Sequence, residues 1–203
     1  MGKQQFNEKE SLAIITQMIE STRQNMQLGS GNLFLIYGYS LACVSLLVYL
    51  LQLLTHNPVW SFLWITMFGV MFFTKSKTTG TDKGVMTYTD QAVSGIWEIT
   101  GILFILTFVV ISLSAYFLSY DLFNLMLPLS LIYMAIGTSM TGVMIKESLI
   151  KYIPVSGFIC GMYMLIIYVT TGQSESLWNL YFCIASVVTM IIPGHILNHK
   201  SKR

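Results

Sequence analysis

The chain has 203 residues, of which 54% are apolar and only 10% charged, with a formal net charge of +2. A soluble domain carries about 25% charged residues, so the composition excludes a disordered chain, a basic nucleic-acid-binding domain and an ordinary soluble enzyme. The mean hydropathy of +0.66 agrees.

Residues 7–28 read as an amphipathic helix. Asn7 is a good N-cap, and Glu10 stands where it can close a capping box. Leu12, Ile15, Ile19 and Met26 form one stripe, widened by Ile14 and Met18, while Glu20, Arg23 and Gln24 take the wetter side. Gly29-Ser30-Gly31 is expected to end this helix, because glycine adopts the left-handed C-cap conformation without strain. The first apolar run begins only at Leu33, which reads as a retained anchor rather than a cleaved signal peptide. Phe6 stands where a myristoylation signal has Ser or Thr.

Six apolar runs follow, at 33–54, 58–74, 95–118, 122–145, 153–171 and 177–197. A spanning helix needs roughly 20 apolar residues, with about 17 as a lower limit. The second run, between Asn57-Pro58 and Lys75, is the shortest, and length alone leaves a re-entrant loop open. Charge decides for six crossings. With the N-terminus inside, the inner segments 1–32, 75–94, 146–152 and 198–203 hold all eleven Lys and Arg residues. The outer loops near His56, Tyr120 and Gly172 hold none, which is the positive-inside pattern. The expected fold is therefore an all-α polytopic membrane bundle. A cytoplasmic amphipathic helix (1–32) precedes six transmembrane helices (33–197) and a basic cytoplasmic tail (198–203). Phe68-Gly69-Val70-Met71, Thr141-Gly142-Val143-Met144 and Pro193-Gly194-His195-Ile196 end the even-numbered runs alike, as three helical hairpins in parallel repeat would.

Residues able to carry chemistry are few. Glu98 is the one carboxylate inside an apolar run, a turn into the third; it reads as a gate, a cation or partner contact, or an interfacial acid paired with a lysine. Pro128 is expected to kink the fourth span. His195 and His199 stand four apart after Pro193-Gly194; a metal site would need Glu147 or Glu98 as third ligand, and a headgroup-facing pair is the plainer reading. Gly157 and Gly161 form a GxxxG, echoed by Gly38 and Ala42, suited to packing within one subunit or to a dimer seam. The hydroxyls of Ser40, Ser45, Thr107, Ser112, Tyr133, Thr138, Ser139, Tyr163 and Ser186 either line a narrow path or bond to their own helices. Cys43, Cys160 and Cys183 lack any metal or redox spacing and read as small hydrophobes. No phosphate loop, nucleophile elbow or acidic metal cluster occurs, so no catalytic residue, cofactor or metal is expected, and no enzyme.

The runs Met140-Thr-Gly-Val-Met-Ile-Lys146, Pro154-Val-Ser-Gly157 and Ile191-Ile-Pro-Gly-His-Ile-Leu-Asn198 with the basic tail resemble small integral membrane proteins common in Bacteroides-group bacteria. Asn7-Glu-Lys-Glu-Ser-Leu12 and Phe34-Leu-Ile-Tyr-Gly-Tyr39 fit the same pattern. The resemblance covers most of the chain and implies a bacterial inner membrane; it carries no activity and no functional residues. Two functions remain open. One is a non-enzymatic membrane protein acting through a cytoplasmic protein partner. The other is a small channel or carrier for a neutral or amphiphilic solute. A lipid-modifying enzyme built on Glu98, His195 and His199 is least favoured. The partners expected are the lipid bilayer, a cytoplasmic protein and further copies of the chain, with no nucleic acid.

Overall fold

The computed structural model describes residues 8–70, 74, 88–118, 122–175 and 177–201, and the side chains of most of them. Among these residues the structure is entirely helical and has no strand. The helices are α1 (Glu8–Thr55), α2 (Pro58–Val70), α3 (Tyr88–Leu118), α4 (Met126–Ile145), α5 (Ser148–Tyr152), α6 (Val155–Thr171), α7 (Trp178–Ser186) and α8 (Ile192–Ser201). A π-helical segment, Val187–Ile191, joins α7 to α8. Five stretches are long and apolar enough to cross a membrane: Gly31–Thr55, Gln91–Phe117, Phe123–Ile145, Ser148–Thr171 and Trp178–His199. The second apolar run differs, and Pro58–Val70 is a shorter apolar helix.

The expected stop at Gly29–Gly31 does not occur, because α1 runs unbroken from Glu8 to Thr55. Gly31 is buried, and a Cβ there would strike the Asn198 side chain and stand 3.1 Å from Leu197 Cβ. This glycine gives α8 a close approach instead of giving α1 a left-handed end. Asn7 and the Glu10 side chain, the expected cap, lie outside what the structure describes. The true end of α1 comes at His56, where φ is 52°. Asn57 then accepts a hydrogen bond from the Val59 N–H, and Pro58 occupies the first helical position of α2, the usual opening of a helix.

The last helix is the axis of the bundle. Half of its apolar window is buried, against 6% for α3. α1 packs along α7, the π segment and α8 on one flank; α4 and α6 pack on the other; α3 lies outside against α4. Trp178 and Phe182 are almost wholly buried in this axis with Leu131, Met164 and Leu197. The π turn has a local cause. Pro193 has no N–H, and its ring would meet the carbonyl four residues back. The helix widens just before it, so that the Ile192 N–H bonds to the Val187 carbonyl five residues back. Two glycines seat the widened backbone. A Cβ at Gly38 would stand 2.9 Å from Ile191 Cγ1 and 3.0 Å from Met190 Cβ, and one at Gly157 would collide with the Thr189 methyl.

The three similar run-ends serve different ends. Gly69 faces open space, Gly142 lies against the backbone of Ile150 and Lys151, and Gly194 receives Phe34 and Leu35.

A chain of amides ties α1, α2 and α7 near the far end of the bundle. Ser61 Oγ accepts from Gln52 Nε2 at 2.9 Å, Gln52 Oε1 accepts from Asn179 Nδ2 at 3.2 Å, and the Ser45 hydroxyl donates to the Asn179 carbonyl. Interhelical hydrogen bonds inside membranes are each worth about 0.6 kcal/mol on average. Asn179→Ala should therefore lower stability in detergent by about 1 kcal/mol. Gln52→Ala should add less on that background than it does alone, since both remove one bond; strictly additive losses in a double-mutant cycle would refute the link.

Candidate functional site

The candidate residues are dispersed over the bundle. Glu98 lies on α3 and is exposed; among the described residues no ion pair or hydrogen bond reaches it. A Cβ at either flanking glycine, Gly95 or Gly101, would meet nothing within 4 Å. The opposite face of α3 is the one that packs. Trp97 sets its ring edge-on against Phe34 at 5.4 Å between centroids, Thr100 lies against Gly137, and the Thr107 and Tyr133 hydroxyls meet at 2.8 Å. The helix thus turns its polar threonines inward and its carboxylate outward.

Pro128 does not sit at mid-span. It is buried in the first turn of α4, after a 3-10 turn at Phe123–Leu125. A helix leaves its first N–H groups unpaired in any case, so the missing donor breaks nothing. The expected kink is replaced by a helix start whose carbonyl lies 3.0 Å from where a Gly161 Cβ would stand.

His195 Nε2 lies 2.9 Å from the Tyr39 hydroxyl, with the two rings edge to face at 6.2 Å. Both side chains are exposed, as is His199. No group of three metal-binding side chains occurs among the described residues, so neither Glu98 nor Glu147 joins the histidines as a third ligand.

The GxxxG of α6 packs within the chain. Gly157 receives Thr189 and Gly161 receives Ile132 of α4, with its Cγ1 2.8 Å from the added Cβ. Gly38 receives the π turn, and Ala42 is half-buried one turn along the same face of α1. The dimer-seam reading of Gly157 and Gly161 is therefore corrected: both faces are occupied.

Most of the mid-span hydroxyls bond to their own helices. Ser40 donates to the Ile36 carbonyl, Ser112 to Phe108, Thr107 to Leu103, Thr138 to Met134 and Ser186 to Cys183. All three cysteines are free thiols. One open groove of about 210 Å³ runs between α6 and α7, lined mainly by apolar atoms of Gly157, Cys160, Tyr181, Ile184, Ala185 and Val188. A wider opening of about 530 Å³ lies at the exposed turn of Thr171, Gln173, Ser174 and Glu175.

Sequence reasoning missed the amides. Gln52, Asn179 and Asn198 each stand near the end of an apolar run, where an amide needs a partner. Asn198 Nδ2 donates to Asn32 Oδ1 at 2.9 Å, closing α1 on α8 at the opposite end from Asn179. Trp178 Nε1 and the side-chain oxygens of Asn179 and Asn198 are buried without a partner among the described residues.

Comparison of the chain with known family models, with curated proteins and with solved structures found no match.

Pro128→Ala should leave helicity nearly unchanged, because a first-turn proline constrains no interior bond, and should cost only about 1 kcal/mol for the lost packing of its buried ring. Gly161→Leu should cost on the order of 3 kcal/mol or more, since its neighbours include the Pro128 backbone. A large loss with Pro128→Ala and none with Gly161→Leu would reverse this assignment.

Proposed function

We propose that the chain is a non-enzymatic, multi-pass protein of the bacterial inner membrane. It crosses six times with both termini cytoplasmic, and it works by docking a protein partner on the cytoplasmic part of α1. The carrying observation is the unbroken helix. The first apolar run starts at Leu33, and residues 8–30 carry the same helix about 35 Å ahead of it. On that extension Leu12, Ile14 and Ile15 are 63%, 42% and 52% exposed. An amphipathic helix continuous with a span is carried away from the bilayer, where its apolar stripe needs a protein to cover it.

Two observations support the crossing of 58–74. The segment is pinned beside Gln52 at one end, through Ser61, and beside Tyr37 at the other, where the Tyr37 and Thr74 hydroxyls meet at 2.7 Å. Gln52 and Tyr37 are about 22 Å apart along α1. The eight residues Pro58–Ile65 are a 3-10 helix, which rises about 2.0 Å per residue, so a short segment covers that distance. The confinement of all eleven cations to one side supports the orientation, and the resemblance to Bacteroides-group membrane proteins supports the inner membrane. The channel reading draws less support, because the hydroxyls a polar path needs bond to helix carbonyls.

Full-length protein extracted in mild detergent should recover a stoichiometric protein partner from its host membrane or cytosol, and Leu12→Asp with Ile15→Asp should lose it. No partner, together with a solute flux in reconstituted liposomes, would favour the channel instead. For the threading, a reporter active only outside the cytoplasm should report when inserted at 119–121 and stay silent at 75–94. The opposite pattern would overturn the six crossings.

A further inference from the structure

The open groove between α6 and α7 lies wholly inside two of the membrane-length apolar stretches, Ser148–Thr171 and Trp178–His199. Its cause is local. Gly157 and Ala185 line it with almost no side chain, while Gly157 and Gly161 draw α6 onto Thr189 and onto Ile132 of α4. The one hydroxyl on the α6 side, that of Ser156, donates to the Ile153 carbonyl and is already spent. What the groove offers is a narrow apolar surface set between two helix axes.

One end of this surface lies near charge. Ser156 is about 7 Å along the helix from Lys151, and Cys160 about 14 Å. Backbone bonds from Ile153 to Leu149, Ser156 to Ile153 and Gly157 to Pro154 keep the chain wound between them. Lys151 and Tyr152 are both exposed, three and four residues into the stretch that begins at Ser148. The Lys151 ammonium stands 4.8 Å from the centre of the Tyr152 ring, a pairing of cation and aromatic face that suits the zone between headgroups and hydrocarbon. Lys146, Glu147 and Lys151 together leave this end of the bundle with a net positive charge. Half of a hydrocarbon core is about 15 Å thick. A chain anchored at Lys151 therefore enters the groove at Ser156 and reaches the middle of the core near Cys160.

We propose that the groove between α6 and α7 is a lipid site: it holds one acyl chain of an anionic glycerophospholipid whose headgroup phosphate sits on Lys151 beside Tyr152. The apolar lining takes the chain, and the charge at its end selects the headgroup. The site requires only that these helices cross a bilayer. It stands whichever leaflet meets Lys151, and whether or not a protein docks on α1.

The test uses the full chain in vesicles that contain phosphatidylglycerol with a diazirine at the middle of one acyl chain. After illumination, mass spectrometry should place most adducts on 156–160 and 181–188. They should be sparse on α3, although only 6% of its apolar window is buried and it offers lipid more surface. Lys151→Glu should lower the groove adducts by about tenfold, the loss of one charge-assisted contact, and leave those on α3 unchanged. Unlabelled phosphatidylglycerol should displace the probe at about a tenth of the concentration of phosphatidylcholine. Cys160→Phe, which fills the groove, should lower the adducts on 181–188. Lys151 is exposed, so its replacement tests the site even where Cys160→Phe does not fold. Adducts as dense on α3 as in the groove, no response to Lys151→Glu, or equal displacement by the two lipids would overturn the proposal.

Discussion

Close approach of helix backbones at glycine is the constraint on which this bundle rests. Among lipid tails an apolar side chain gains nothing by leaving lipid for protein. Association then depends on tight van der Waals contact and a few interhelical hydrogen bonds. Apart from Gly137, which packs against Thr100 of α3, and Gly172 in its left-handed turn, the described glycines fall into two sets. Gly31, Gly38, Gly157 and Gly194 all lie where another helix meets the final one, and Gly142 and Gly161 pin α4 to α5 and α6. Gly69, Gly95 and Gly101 meet nothing within 4 Å. The buried set defines the axis, and the open set lies on its periphery.

The π turn follows from the same constraint. Pro193 forces a wide turn into the one helix that every neighbour must reach, and wide backbone needs facing residues without side chains. Gly38 and Gly157 meet it from α1 and α6. Polar bonds then fasten both ends: Asn179 with Gln52 and Ser45 at one, Asn198 with Asn32 at the other. What remains on the perimeter is α3, nearly unburied, with a carboxylate that has no partner among the described residues, and the first turns of α1, where Leu12, Ile14 and Ile15 are exposed.

Five of the apolar runs were legible because a spanning helix declares itself by length and composition alone. The second was ambiguous for the same reason: a 3-10 helix covers more distance per residue, so its residue count understates its reach. Gly29–Gly31 read as a helix end because glycine serves both as a left-handed cap and as a place of close packing, and only the neighbour at Asn198 tells them apart. Pro128 read as a kink because the start of α4 cannot be placed to within a turn inside a continuous apolar run. The inward orientation of Gly157 and Gly161 depends on Thr189 and Ile132, which lie on other helices. Glu98 stood out in the sequence, whereas the packing of its neighbour Trp97 on Phe34 is a contact no local pattern records.

The most direct test of the central claim is to fill the glycines one at a time. At Gly38 even a Cβ would stand 2.9 Å from Ile191 Cγ1 and 3.0 Å from Met190 Cβ, so Gly38→Leu should lower thermal stability in detergent by on the order of 3 kcal/mol. Gly101→Leu, at a glycine whose Cβ would meet nothing within 4 Å, should leave stability nearly unchanged. Equal losses at the two positions, or none at Gly38, would mean that α1 does not lie on the final helix there, and the axis described here would be wrong.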